Sequence, residues 1–112
     1  RAKDMIISGG FNIYPKDLEE LLEQQPEVAE AAVVGMPSEA WGETPVGFVR
    51  LRNESASPEA VLERVNKQLG KTQRISVLYP IDEMPRSHIG KLLKTDLRLL
   101  AEAKQIGRKI RT

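Results

Sequence analysis

The sequence predicts an α+β fold: a small sheet of about three main strands flanked by helices, with a two-stranded hairpin at its N-terminal side. Three observations lead there. Leucines and valines recur at helical spacing in Leu18-Leu21-Leu22, in Val61-Leu62-Val65-Leu69 and in Leu97-Leu100-Ala101. Short runs rich in valine, alanine and aromatics separate them, over Val28 to Met36, Thr44 to Arg52 and Ile75 to Tyr79. A sheet covered by helices is the economical way to bury both kinds of stripe.

The elements follow in order. Met5-Ile6-Ile7, then Ser8-Gly9-Gly10, then Phe11-Asn12-Ile13-Tyr14 reads as a hairpin, with glycines at the turn where positive φ is wanted. Pro15 suits the first turn of a helix, where its missing N–H costs nothing, and Asp17, Glu19 and Glu20 sit early in it, favourable to the helix dipole. Pro26 stops that helix near Gln24. Residues 37–43 read as a connecting loop. Ser57-Pro58 is an N-cap and first-turn pair for a helix stopping near Gly70. Pro80 closes the third strand, residues 82–91 form a polar loop, and a last helix runs from about Thr95. Residues 1–104 are expected to form the domain. Residues 105–112, with few apolar anchors and several cations, are expected to be a loosely ordered tail.

Composition narrows the function. With 112 residues the chain can build one core. Its 17 Lys+Arg and 16 Asp+Glu leave a net charge of +1, far from the excess of a nucleic-acid binder. It has no cysteine and a single histidine, His88, which excludes disulfides and Cys-based metal sites. No apolar run approaches the ~18 residues that span a bilayer, and no leader is recognisable, so the expected setting is cytoplasmic. The abrupt start at Arg1 is expected of a piece of something longer.

Four groups of residues are candidates for chemistry. Lys91 lies in Pro85-Arg86-Ser87-His88-Ile89-Gly90-Lys91. A loop lysine is ordinarily just solvated, but here Pro85 stiffens the approach and Gly90 clears space beside the ammonium. A compact cation on a long stem can reach an anionic oxygen there. Ser8-Gly9-Gly10 reads first as a turn, and second as bare backbone that a ligand can approach; no Gly-Lys-Ser/Thr follows it, so it is no phosphate loop. Arg1, Lys3 and Asp4 form a charged terminus. Trp41 is expected to pack, and Glu43 to be either a surface charge or an anchor for loop backbone. Ser87-His88 with Asp82 lacks the geometry of a nucleophile and base. From Lys91 onward seven cations (91, 94, 98, 104, 108, 109, 111) face two acids (96, 102), without interleaved aromatics for nucleic acid.

Taken together, three ordered segments resemble the C-terminal domain of the adenylate-forming superfamily of acyl- and aryl-CoA ligases, luciferases and peptide-synthetase adenylation domains. Arg1 to Pro15 is similar to the family's hinge motif, Arg-x-Lys-Asp-x-Ile-x-x-Gly-Gly-x-Asn-Ile-x-Pro. Gly35-Met36-Pro37, Trp41-Gly42-Glu43-Thr44-Pro45 and Phe48-Val49 are similar to its Gly-x-Pro…Gly-Glu-x-Pro…Phe-Val motif. Pro85 to Lys91 is similar to Pro-Arg-x-x-x-Gly-Lys, which holds the catalytic lysine. The resemblance implies a C-terminal lid domain that works with an N-terminal domain of the same enzyme. A carboxylic acid is activated with ATP and Mg2+ to an acyl-adenylate, then transferred to coenzyme A. It implies that Lys91 is catalytic in the first step, that Lys3 and Asp4 form the hinge, that Arg1 reaches the ribose, and that Ser8, Gly9 and Gly10 line the CoA path.

The phosphate loop, acyl pocket and main nucleotide site of such enzymes lie in the larger domain, so this piece alone is expected to be inactive. Ser8-Gly9-Gly10-Phe11-Asn12-Ile13-Tyr14-Pro15 looks most like fatty- or medium-chain acyl ligases. Lys71-Thr72-Gln73-Arg74-Ile75 departs from the family's Tyr-Lys-x-Pro, and Lys94 stands where arginine is frequent; neither touches Lys91. A luciferase-like enzyme or a peptide-synthetase adenylation domain is the alternative within the superfamily. A non-catalytic binding module using the basic tail is the alternative outside it.

Overall fold

A computed structural model of the chain describes residues 5–40, 42–53, 55–69, 74–102 and 110–111. Strands β1 (Ile6–Ser8) and β2 (Phe11–Ile13) are followed by helix α1 (Pro15–Glu23). Then come β3 (Val28–Ser38), β4 (Gly42–Leu51), α2 (Pro58–Gln68), β5 (Val77–Pro80), α3 (Lys94–Glu102) and the two-residue β6 (Ile110–Arg111). The α+β class, the leading hairpin and three helices are as the sequence predicts.

Beside the three main strands β3, β4 and β5, the hairpin strands and β6 join the same sheet. Six strands join in one sheet in which β4 is the hub. Antiparallel β3 runs along one edge of β4 for its whole length. The other edge is shared: β1 pairs there at Ser8↔Gly42, and β5 pairs in parallel from Val46↔Val77 to Val49↔Pro80. Of residues 37–43, read as a connecting loop, Pro37, Ser38, Gly42 and Glu43 belong to the strands. Pro37↔Glu43 and Ser38↔Gly42 extend the β3–β4 hairpin to its tip. Pro37 is tolerated because β3 is an edge strand, and its alternation with Ala31 and Val33 aims its nitrogen away from β4, where no ladder donor is needed. Within the segment read as a loose tail, Ile110 and Arg111 pair with Leu78 and Val77 of β5.

The alternation of the strands feeds two cores, one on each face of the sheet. On one face Val33, Val49 and Leu78 meet Leu18 and Leu22 of α1 and Val61, Leu62 and Val65 of α2, all buried. On the other, Ala32, Val34, Val46, Phe48 and Tyr79 meet Leu97 and Ala101 of α3 together with Met84. Phe48 and Tyr79 stack with ring centroids 5.3 Å apart. Ser57 caps α2 as its sequence predicts, its hydroxyl accepting the Ala60 amide at 3.2 Å.

The outer edge of β3 is sheathed by charged side chains. Glu19 and Glu23, one turn apart on α1, accept the outward amides of Val33 (2.9 Å) and Ala31 (3.4 Å). From the opposite face Lys94 pairs with Glu19 (2.8 Å), and Arg98 donates to the Gly35 carbonyl (3.4 Å). Unpaired edges invite strand addition, and charge placed along them opposes it. Two of the cations that suggested a basic face are thereby part of the fold.

Candidate functional site

Lys91 sits at the end of a miniature hairpin whose two shoulders are in the core. Met84 is buried, and Leu92 packs against the same cluster. Between them the Leu93 amide donates to the Pro85 carbonyl (2.9 Å), Arg86 bridges Leu92, and the Ser87 amide donates to the Lys91 carbonyl (2.8 Å). The Gly90 amide closes the turn on the Ser87 carbonyl (2.9 Å), with Gly90 at φ +86°. A turn followed by a left-handed residue is a three-residue hairpin loop, and glycine fills that position without strain. A Cβ on Gly90 would touch nothing within 4 Å, so conformation, not space, demands the glycine.

The Gly90–Lys91 peptide is held at both polar ends. Its carbonyl accepts from Arg86 (3.2 Å), and its amide donates to the Ser87 hydroxyl (3.2 Å). Arg86 is itself tied to Glu30 of β3 (2.5 Å), and Glu30 also takes Arg50 of β4 (3.1 Å). The Arg50 hydrogen bond holds the Glu30 carboxyl below the ordinary glutamate range; partial burial opposes this, and the Arg86 bond adds to it. The Lys91 side chain is exposed, and among the described residues its ammonium has no ion-pair partner. His88 and Ile89 form the tip, with Ile89 77% exposed.

The Ser8-Gly9-Gly10 group lies elsewhere. Ile6↔Ile13 and Ser8↔Phe11 flank a two-residue turn in which Gly9 (φ +58°) and Gly10 (φ +83°) are both left-handed. Ser8 is buried, whereas Gly9 and Gly10 are exposed beside the outward side chains of Ile7 and Phe11. Glu43 anchors this hairpin: its carboxylate accepts the Ile7 amide at 2.9 Å. Gly35 makes the docking possible, since a Cβ there would come within 3.0 Å of Ile6 and 3.1 Å of Glu43. Of the two roles open to Glu43, the structure selects the backbone anchor.

The hairpin and the lysine loop sit towards opposite ends of β3. Ser8 pairs with Gly42, which pairs with Ser38, while Arg86 is fixed to Glu30. Those rows are eight positions apart along β3, about 26 Å of extended chain. Arg1, Lys3, Asp4, Trp41 and Lys71-Thr72-Gln73 lie outside the described residues. Sequence reasoning missed Glu30 and Arg50, because Glu30 lies 56 residues from Arg86 and 20 from Arg50, and neither contact leaves a local signal. The described residues contain no cluster of three or more His, Asp or Glu able to hold a metal ion. Among them no helix is long and apolar enough to cross a membrane.

Comparison with known proteins places this geometry. Residues 17–91 match the family model described as the AMP-binding enzyme C-terminal domain. A 2-succinylbenzoate–CoA ligase from Geobacillus kaustophilus is 41% identical over 101 residues, 89% of this chain and 21% of that protein. A Mycobacterium tuberculosis fatty acyl CoA synthetase superposes with a TM-score of 0.83 at 36% identity, over 93% of this chain and 21% of the other. The o-succinylbenzoate CoA synthetase of Bacillus subtilis, solved with its acyl-adenylate intermediate, gives 0.76 at 35% identity, over 85% and 19%. The chain thus spans about a fifth of the length of the relatives it matches. It is a member of the AMP-binding enzyme C-terminal domain family and corresponds to that part of adenylate-forming acyl-CoA ligases.

Proposed function

We propose that this domain supplies Lys91 to the adenylation step of an acyl-CoA ligase and the Gly9-Gly10 turn to its thioester step. The supporting observation is the Lys91 loop: its backbone is pinned on every side while its ammonium projects without an ion-pair partner among the described residues. In the first step a carboxylate oxygen of the acid bonds to the α-phosphorus of ATP, and the bond to pyrophosphate breaks. Negative charge builds on the oxygens of the acid and the α-phosphate. A fixed cation there, in a cleft closed by the rest of the enzyme, lowers that barrier. In the second step the thiolate of coenzyme A bonds to the acyl carbon and AMP leaves. Gly9 and Gly10 offer exposed backbone for the thiol arm to pass.

Because the two sites lie towards opposite ends of β3, one orientation of the domain presents one of them. Turning between steps is the consistent reading, with Lys3 and Asp4 as the hinge and Arg1 on the ribose. ATP, Mg2+ and the acid belong mainly to the N-terminal domain of the same enzyme, acting where that enzyme resides, in the cytoplasm. The curated relatives act by name on 2-succinylbenzoate and one structural relative on fatty acids, so the fatty- or medium-chain reading is not carried and the acid stays open to assay.

The test is Lys91→Ala in the full-length enzyme, with 2-succinylbenzoate and a fatty acid as probes. ATP–pyrophosphate exchange should fall at least a hundredfold, while thioester formation from supplied acyl-adenylate stays within a few-fold. Equal loss of both would remove the division of labour. The 112-residue piece alone should show no exchange.

A further inference from the structure

Lys91 is exposed as a side chain, yet the peptide that carries it is fixed from two directions. Ser87 fixes the amide from within the hairpin. The carbonyl is fixed by Arg86, whose guanidinium is itself set by a residue of the sheet. That residue, Glu30, divides its two oxygens between Arg86 and Arg50. Arg50 and Glu30 face each other across the β3–β4 ladder, so the carboxylate is held to a rigid surface on one side and grips the loop on the other. From Glu30 in the sheet, Arg86 and the Gly90 carbonyl lead to the lysine.

We propose that Glu30 is a positioning residue for adenylation, acting on Lys91 through Arg86. The inference rests on the reading of Lys91 as the catalytic cation. Arg86, paired to Glu30 and bonded to Gly90, serves the loop and not a substrate anion. Without Glu30 the guanidinium loses its orientation, the Gly90–Lys91 peptide can tilt, and the ammonium drifts from the place where charge develops. Displacements of about 1 Å cost on the order of a hundredfold in rate. The Gly9-Gly10 hairpin, at the other end of β3, lies away from this chain of contacts, so the thioester step is untouched.

The test uses full-length enzyme with Glu30→Ala, Glu30→Asp, Lys91→Ala and the Glu30→Ala/Lys91→Ala double variant. Adenylation is followed by ATP–pyrophosphate exchange with 2-succinylbenzoate or, where that acid is not turned over, a fatty acid. Glu30→Ala should lower kcat for adenylation by about ten- to a hundredfold, with KM values and the thioester step from supplied acyl-adenylate within twofold. Glu30→Asp should recover part of the rate. In the Lys91→Ala background Glu30→Ala should change nothing further, which a general loss of folding could not mimic. Hydrogen–deuterium exchange should rise in peptides covering 85–93 and not in those covering α1. Equal loss in both half-reactions, a further tenfold drop in the double variant, or unchanged exchange in the loop would overturn the positioning role. Full adenylation in Lys91→Ala would instead overturn the reading beneath it.

Discussion

The carboxamide of Asn66 holds both backbone polar groups of Ile75, its Nδ2 donating to the Ile75 carbonyl at 3.0 Å and its Oδ1 accepting the Ile75 amide at 2.9 Å. Both residues are buried, and Ile75 leads into β5, the strand that brings in the lysine loop. Asn66→Ala leaves a buried donor and a buried acceptor without partners. That should cost about 2–4 kcal/mol, read from urea denaturation.

Gly90→Ala should destabilise the lysine loop by about 1–2 kcal/mol, because an alanine must adopt φ +86°. Gly90→Asn should cost less, since asparagine tolerates the left-handed region. In the full-length enzyme adenylation should follow the same order, glycine above asparagine above alanine, in pyrophosphate exchange.

Gly35→Ala fails for another reason. Its φ is not in the left-handed region, but its Cβ would press on Ile6 and Glu43. Overpacking of this kind costs about 1–3 kcal/mol. Calorimetry should show a lowered Tm, and proteolysis of the β1–β2 hairpin should quicken as the Glu43 anchor to Ile7 slips.

Glu30 predicts a pH dependence. Its carboxyl titrates below the ordinary range when folded, so the unfolded chain binds the proton more tightly. The stability it contributes is therefore present above the unfolded glutamate pKa, about 4.3, and is lost as pH falls through the lower folded value. Glu30→Gln should flatten that part of the stability–pH curve, by about 1 kcal/mol or less for a pair this exposed. A slope unchanged in the variant would assign the acid loss to other carboxylates.

Much of this was legible because the signals are local. The Leu18-Leu21-Leu22 stripe, the Ser57 cap and the Gly9-Gly10 turn each act within a few residues, and each is where the sequence places it. The β3–β4 tip was misread because Pro37 and Gly42 ordinarily break strands. Whether a proline breaks a strand depends on which way its nitrogen points, and that is fixed only by the partner strand's register. The lysine loop was legible as a motif and not as a mechanism. Nothing near Arg86 in sequence announces Glu30, and nothing near Ile7 announces Glu43, since both contacts are made only once the sheet has formed.

The sheath on β3 also has an order in time. Glu19 and Glu23 precede the strand in the chain, so they are already synthesised when the Ala31 and Val33 amides leave the ribosome. The Gly35 carbonyl waits for Arg98, 63 residues later, about 3–13 s at ordinary rates of translation. For that interval the outer edge of the strand can have its Ala31 and Val33 amides covered while its Gly35 carbonyl stays open to another strand.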